Sequence, residues 1–313
     1  MSIVVQFFPA AFQQLLASRE ITDIMVTNSG AVFIDSNGTL TRSDFNLDAQ
    51  QLRIAVQAVA RSAGKDINER CPILDVRLPD GSRVAALANP ASLGGWSLTI
   101  RRFNCWFSLD ELIDAGTVSA RHAEHLLAAL EGHRNILVAG GTSAGKSTLV
   151  NALIGEIPLG DRLILIEKPA ELSLQHPNVL RWEATDRTEN TPAVTVGELV
   201  SHAMRHRPDR IVVGEVKDAS AFFLLQALNS GHSGSLSTIH ADSATLALDR
   251  LSGLAIGAYP NLHHAFIRQE TANAIHLVAH MVRKNRRRFL QSLIAVDGYD
   301  PSTNRFVTKS IEA

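Results

Sequence analysis

The sequence of 313 residues has few cysteines, few aromatic residues and almost no net charge. Cys71 and Cys105 are the only cysteines, and their wide separation excludes a paired-cysteine zinc module and gives no sign of a disulfide framework. Because 30 basic residues face 31 acidic ones, no overall basic field argues for sequence-specific nucleic-acid binding. We therefore expect a protein of a reducing, cytoplasmic compartment.

Long apolar runs are also missing. No uncharged stretch approaches the roughly 18–20 apolar residues that a membrane helix needs, and the first residues lack the basic region of a signal peptide. We expect a protein that is soluble, or at most peripheral to a membrane. The length suits two domains, each large enough to bury its own core.

The first predicted domain covers residues 1–107 and mixes helices with strands. Asp48 is placed to cap a helix that ends before Gly64. The pattern predicts a helix at residues 9–18, strands at 23–27, 31–35, 73–78, 83–87 and 96–103, and turns at 36–38 and 79–82. No nucleophile–base pair or metal cluster stands out, so we assign this domain no chemistry of its own.

The strongest motif lies in the second predicted domain, residues 108–313. An apolar strand from residue 135 leads into Gly140-Gly-Thr-Ser-Ala-Gly-Lys-Ser147, which satisfies G-x-x-x-x-G-K-[ST]. In this loop, glycines let the backbone approach an anion, the lysine reaches the β- and γ-phosphates and the serine ligates Mg²⁺. The predicted nucleotide-binding residues are Gly140, Gly141, Thr142, Ser143, Ala144, Gly145, Lys146, Ser147 and Thr148.

Around this loop the chain alternates between strands and helices. Ser108 with Glu111 forms a capping box, and Ser119 caps the next helix. Short apolar runs at residues 163–166, 211–213 and 236–239, and a late strand at 292–296, are typical of buried strands in a mostly parallel sheet. The sequence therefore predicts an α/β fold for this domain.

Acidic residues follow two of the predicted strands. Glu215 comes directly after one strand, where it could polarise the attacking water or hold Mg²⁺, or simply cap the following helix. Glu167 ends another strand, and it or Glu171 could order Mg²⁺ or water, or pair with Lys168. These alternatives stay open on the residues alone.

Histidines and arginines complete the candidate site. His240 at a strand end could sense the γ-phosphate, whereas His232 sits in the preceding loop; either could instead bind a backbone carbonyl. Arg205 and Arg207 precede the Glu215 strand and could act as arginine fingers. The basic run at residues 283–288 suits a surface, an acidic-lipid contact or a hairpin edge.

In order and spacing, these motifs resemble the secretion ATPase superfamily. The segments that carry the resemblance are the loop at residues 140–147, Ile166-Glu-Lys-Pro-Ala-Glu-Leu172, the run from Arg205 to Glu215 and the run from Gly231 to His240. They match the Walker A, Asp box, Walker B and His box. The phrases at residues 78–84 and 98–102 are similar to the type IV secretion and conjugal-transfer branch.

The resemblance implies a RecA-like C-terminal ATPase domain behind a smaller α+β domain. It also implies a homohexameric ring that hydrolyses ATP to ADP with Mg²⁺, and whose domain movements drive pilus assembly or substrate translocation. Such a ring would work with secretion-channel proteins at the cytoplasmic face of the inner membrane, where it could make a peripheral membrane contact.

Residue roles carry over from the resemblance by position. Glu215 is the expected catalytic carboxylate, His240 the sensor and Glu167 an Asp-box residue that could also bind the metal. Arg101, Arg102, Arg205 and Arg207 match family arginines near the nucleotide, acting within one subunit or across an interface.

Two positions depart from the family pattern. Lys168 replaces the usual Asp of the Asp box, and Lys217 replaces an arginine. Lys168 raises an alternative, namely a nucleotide-dependent assembly scaffold with little turnover. A further alternative with the same chemistry is a type IV pilus assembly or retraction motor, which the short length and missing cysteine module disfavour.

Overall fold

The computed structural model describes residues 6–18, 20–36, 39–78, 81–102, 107–172, 176–187, 191–285 and 287–313. It divides into two units, Met1–Cys105 and Trp106–Ala313. The expected domains, residues 1–107 and 108–313, stay a prediction. Cys105 and parts of the predicted turns at 36–38 and 79–82 lie outside the described residues, whereas Cys71 is a free, exposed thiol.

The first unit contains a six-stranded sheet in which every neighbouring pair is antiparallel. In spatial order its strands are β3 (Thr39–Asn46), β2 (Ala31–Ser36), β1 (Ile21–Val26), β6 (Ser97–Arg101), β5 (Arg83–Leu87) and β4 (Ile73–Arg77). The helices are α1 (Ala10–Ala17) and α2 (Ala49–Ser62). The Asp48 side chain accepts hydrogen bonds from the backbone of Gln50 and Gln51, which confirms the predicted cap.

The second unit contains an eight-stranded, mostly parallel sheet, which confirms the predicted fold class. In spatial order its strands are β14 (Arg305–Ile311), β13 (Arg287–Asp300), β12 (Leu277–Lys284), β7 (Ile136–Gly140), β11 (Leu236–Ile239), β10 (Arg210–Val216), β8 (Leu163–Glu167) and β9 (Val179–Glu183). The six strands from β12 to β9 run parallel, and β13 and β14 pair antiparallel at one side.

Both faces of this sheet are covered by helices. Successive apolar side chains on each strand point in opposite directions, so each strand contributes to the core on both faces. Leu137 and Ala139 face one buried cluster, whereas Ile136 and Val138 face the other. The first cluster is closed by α6 (Val196–Ala203), α7 (Ser220–Asn229), α8 (Ala244–Ala258) and α9 (His264–Ala274). The second is closed by α3 (Leu109–Asp114), α4 (Ala120–Glu131) and α5 (Lys146–Gly155).

Helix starts were predicted better than edge strands. The capping box of Ser108 with Glu111 and the Ser119 cap are both present. The sequence did not predict β3, β9 or β14, because edge strands expose much of their length and so lack a clear apolar pattern. It also missed β12, whose apolar run is interrupted by the buried residue His280.

Candidate functional site

The Gly-rich loop joins β7 to α5 in conformations that demand glycine. Gly140 has φ +152°, and a Cβ added there would lie 2.3 Å from the Met281 carbonyl oxygen. Gly145 precedes the helix with φ +96°, and Ser143 is left-handed with φ +58°. The loop therefore ends at the amino end of α5, where unpaired backbone N–H groups and the helix dipole favour an anion.

Lys146 is the buried cation of this loop, with only 8% of the residue exposed. Its Nζ donates to the carbonyl oxygens of Gly140 at 3.0 Å and Gly141 at 2.9 Å. Burial lowers the pKa of Lys146 below its usual value, and the carboxylates of Glu215 and Glu171 partly offset this effect. The lysine is thus held across the loop and beside negative charge.

The side chains of Glu215 and His240 meet at the carboxyl edge of the sheet, which is the side where the parallel strands end. The Nε2 atom of His240 lies 3.0 Å from Glu215 Oε1 and 3.4 Å from Lys146 Nζ. The tautomer that donates from Nε2 to Glu215 cannot accept there from Lys146. Burial lowers the pKa of His240, the charge of Lys146 lowers it further, and Glu215 acts in the opposite direction. His240 is therefore mainly neutral at pH 7.

A bulge in β10 occurs at Glu215, whose side chain reaches His240. The register between β10 and β11 shifts between Val213 and Val216, so an extra residue sits in β10 at this point. The Thr238 hydroxyl on β11 donates to the Gly214 carbonyl beside it. Glu215 does not cap α7; the Asp218 side chain accepts from the Ser220 backbone instead. The sequence holds no signal for this bulge.

Glu167 is fully enclosed at the end of β8, with 2% of the residue exposed. Its Oε1 accepts hydrogen bonds from the backbone N–H of Glu171 at 2.6 Å and Leu172 at 2.7 Å. Gly214 is needed beside it, because a Cβ there would lie 2.9 Å from Glu167 Cγ. Lys168 pairs with Asp186 rather than with Glu167. Glu167 therefore orders the segment that follows β8.

The remaining residues of the phosphate loop differ in their exposure to solvent. Gly141, Thr142 and Ser143 are exposed, whereas Ala144 is buried. Ser147 and Thr148 lie in the first turn of α5 and are partly exposed. The structure thus joins the loop with Glu215 and His240 at one edge of the sheet, and Glu167 lies close by through Gly214.

Arg205 and Arg207 lie at the amino edge of this sheet, which is the side where the parallel strands begin. Both are exposed and precede β10, in and just after a 3-10 helix at Met204–His206, and Arg207 is left-handed with φ +52°. β10 runs parallel to β11 and β7, so its start is opposite the edge that carries the loop. At about 3.3 Å per residue, about 17 Å separates Arg210 from Glu215. This exceeds the length of an arginine side chain.

The third arginine of that run, Arg210, is completely buried. Its Nε donates to Asp161 Oδ2 at 2.6 Å, and Nη1 donates to the Gly234 carbonyl at 3.2 Å. His232 is also bonded to the protein, through Nδ1 and the Ala227 carbonyl at 3.3 Å. Arg210 and His232 therefore serve the fold of this unit.

Arg101 and Arg102 belong to the first unit. Arg101 Nε donates to Asp23 Oδ1 on the neighbouring strand at 2.9 Å. Arg102 donates to the backbone carbonyls of Ser18 and Ile21. The expected contact of these arginines with a nucleotide stays a prediction.

The described basic residues of the run at 283–288 lie at the end of the β12–β13 hairpin, beside the phosphate loop; they are Arg283, Lys284, Arg287 and Arg288. Arg288 Nε donates to the Ser143 carbonyl at 3.0 Å. The sequence indicated a hairpin edge among its alternatives but not this neighbour, because the spatial order of strands in a sheet is not written in the local pattern. Among the described residues, no group of three or more His, Cys, Asp or Glu side chains is arranged to hold a metal ion.

A mostly parallel sheet with this loop after an inner strand defines a P-loop nucleoside triphosphatase fold. Within that class, the chain belongs to the type II/IV secretion system protein family, whose sequence model matches residues 9–307.

Named relatives cover most of the chain. It is 34% identical over 310 residues to the type IV secretion system protein PtlH of Bordetella pertussis, covering 90% of this chain and 91% of PtlH. It is 30% identical over 288 residues to the conjugal transfer protein TrbB of Rhizobium radiobacter, covering 91% and 86%. The crystal structure of the VirB11 ATPase from the Brucella suis type IV secretion system is 27% identical, with a TM-score of 0.50 and coverage of 96% and 99%.

Across the helices of the described chain, none combines the length and the apolar character needed to cross a membrane.

Proposed function

We propose that this protein is a Mg²⁺-dependent ATPase that assembles as a homohexamer and powers type IV secretion or conjugal transfer. The observation that carries the proposal is the meeting of Lys146, Glu215 and His240 at the end of the phosphate loop. The relatives named for conjugal transfer and type IV secretion support the cellular role.

The residues present fit a nucleotide with Mg²⁺. Gly141, Thr142 and Ser143 are exposed, so the loop is open to an anion, and its glycines let the backbone approach one. The Ser147 hydroxyl and the partly exposed Glu215 carboxylate are hard oxygen donors of the kind that Mg²⁺ prefers. They would hold the ion, which supplies charge neutralisation at the phosphate oxygens.

Each side chain then has a defined task. Lys146 binds the terminal phosphates, and Glu215 orients the attacking water or accepts its proton. His240 is neutral and donates its single N–H, on Nε2, to Glu215; redirecting this N–H to a phosphate oxygen would let it sense the γ-phosphate. Glu167 keeps the segment after β8 ordered beside Glu215, and its metal role stays a prediction.

Steady-state phosphate release tests the proposal. With ATP and Mg²⁺ the wild-type protein should release phosphate, and Lys146→Ala should lower the rate by about 10²–10³-fold, as expected when a group that stabilises developing charge is removed. Lys168→Asp, which restores the family pattern, is the matched comparison for turnover. Wild-type release no faster than that of Lys146→Ala would contradict an ATPase and favour the assembly scaffold.

The position of Arg205 and Arg207 supports action on a neighbouring subunit. Both lie at the sheet edge opposite the loop of their own unit. If they serve the next subunit, mixing inactive Lys146→Ala protein with inactive Arg207→Ala protein should restore phosphate release, because some interfaces then pair an intact loop with an intact arginine. No recovery in the mixture, at a ratio where mixed assemblies form, would contradict this assignment.

A further inference from the structure

The basic end of the β12–β13 hairpin lies against the phosphate loop. In the parallel pair of β12 with β7, Met281 is opposite Gly140, and β12 continues to Lys284. Across the hairpin, Arg283 pairs with Arg288, and Lys284 pairs with Arg287. Two consecutive pairs of like charge directly opposite each other disfavour a hairpin. An anion bound beside Arg288 would offset the charge of that side chain, whereas Lys284 and Arg287 lie on the opposite face.

Arg288 makes the direct contact with the loop. Its Nε donates to the Ser143 carbonyl at 3.0 Å, and its Cδ lies 3.5 Å from where a Cβ on Gly145 would be. The side chain therefore crosses the segment from Ser143 to Gly145. Only Nε is bonded within the described part of the chain, so the two Nη groups keep their donors for an acceptor outside the protein. A guanidinium held in this way suits a phosphate.

The direction of the bound nucleotide follows from the order of the strands. Glu215 and His240, the groups that act on the terminal phosphate, belong to β10 and the end of β11, on one side of β7. β12 lies on the other side of β7. A nucleotide whose terminal phosphate points toward β11 therefore extends its nucleoside end toward β12 and Arg288.

We propose that Arg288 is a nucleotide-binding residue that contacts the α-phosphate, whereas Lys146 binds the phosphates beyond it. This assignment rests on the proposed function, because it requires a nucleotide in the loop. The proposed role of Arg288 differs from the surface and acidic-lipid contacts considered for the basic run. It involves a single arginine, which lies on the same face of the hairpin as Met281. Arg287 belongs to the opposite face.

Calorimetric titration of the full chain with ADP and, separately, with inorganic phosphate tests the proposal. Both titrations contain Mg²⁺. Arg288→Ala should raise the Kd for ADP by about 10- to 100-fold, the range for losing a hydrogen bond between charged groups. Its Kd for inorganic phosphate should stay close to wild type, because a single phosphate bound by Lys146 leaves the α-phosphate position empty.

Arg287→Ala is the matched control, since it removes one positive charge from the same hairpin on the other face. Its ADP affinity should equal that of wild type. Unchanged binding of inorganic phosphate by Arg288→Ala also shows that the loop has kept its shape. Arg288→Lys should give an intermediate loss, because it retains the charge without the guanidinium fork.

Three results would overturn the inference. Equal loss of affinity for ADP and for inorganic phosphate would show that Arg288 only shapes the loop, and no loss for either would show that it binds no nucleotide. Loss of anionic-vesicle binding in Arg288→Ala with ADP affinity unchanged would assign it to a membrane contact. If Lys146→Ala binds ADP as well as wild type, the proposed function fails too; binding that needs Lys146 but not Arg288 overturns this inference alone.

Discussion

At the two edges of the parallel sheet in the second unit, polar side chains occur in contrasting surroundings. At the amino edge, Arg210, Asn135 and Ser235 are buried and bonded to protein groups. At the carboxyl edge, Glu215 and His240 are partly exposed, and they lie beside a loop with left-handed backbone. The same strands therefore carry polar groups that hold the fold at one end and groups available to a ligand at the other.

The amino edge is a connected network. Asn135 donates to the Ala274 carbonyl and accepts from the Ser235 backbone, and Ser235 Oγ accepts from the Ile211 backbone. These bonds join the starts of neighbouring strands, where backbone groups would otherwise be unpaired. At the carboxyl edge, burial lowers the pKa of Lys146, and the nearby carboxylates only partly offset this effect. Perturbed groups of this kind are typical of functional sites.

The largest effect expected at the carboxyl edge is on rate. Glu215→Gln should lower phosphate release by about 10²–10⁴-fold, the range for a group that transfers a proton or positions water. Its urea unfolding midpoint should stay near wild type, because Glu215 is partly exposed. A variant with wild-type turnover would remove Glu215 from the chemistry.

At the amino edge the largest effect is on stability. Arg210→Ala leaves Asp161 without its buried partner and should lower the free energy of unfolding by about 3–5 kcal/mol. Urea denaturation followed by circular dichroism measures this change. Arg210→Ala combined with Asp161→Ala should recover part of the loss, since no unpaired charge remains. A loss below about 1 kcal/mol, the size expected of an exposed pair, would contradict the assigned role.

A smaller stability effect is expected at Ser235. Ser235→Ala leaves the backbone N–H of Ile211 unpaired and should cost about 1–3 kcal/mol. Ser237→Ala, two residues along β11, is the matched control; the hydroxyl of Ser237 has no hydrogen bond to any described residue, so this change should be nearly neutral. Equal effects of the two changes would show that the network does not stabilise the amino edge.

The smallest effect concerns pH. Phosphate binding needs charged Lys146, and burial lowers the pKa of this lysine from its usual 10.5. As the pH rises, ADP affinity should therefore start to fall before pH 10.5 is reached. Glu215 raises this pKa, and Glu215→Gln should therefore move the start of the alkaline fall to lower pH. Asp186→Asn, at an exposed carboxylate paired with Lys168, should leave it unchanged. Titrations across the alkaline range measure both, and a shift to higher pH would contradict the described electrostatics.

The sequence predicted much of the carboxyl edge because the residues there lie in short, ordered motifs. The loop, the strand before it and the carboxylate near the end of β10 were each recognisable locally. The amino edge escaped prediction: Arg205, Arg207 and Arg210 read as one basic cluster, yet Arg210 is buried and the other two are exposed. Burial depends on which strands are neighbours, and that information lies in contacts between residues far apart in the chain.

The hairpin beside the loop illustrates the same limit. The charges at residues 283–288 could be recognised in the sequence. The position of Arg288 next to Ser143, however, depends on the pairing of β12 with β7. The bulge at Glu215 likewise depends on the partner strand β11. Local patterns predicted which residues carry charge, whereas the register of the sheet decides which of them reach the loop.

One measurement tests the contrast between the two edges most directly: the rate of phosphate release per folded molecule of Arg210→Ala, set against that of Glu215→Gln, at saturating ATP and Mg²⁺. Our account predicts a rate close to wild type for folded Arg210→Ala and a loss of about 10²–10⁴-fold for Glu215→Gln. A comparable loss in both variants would show that Arg210 takes part in the chemistry, and would contradict its assignment to the fold.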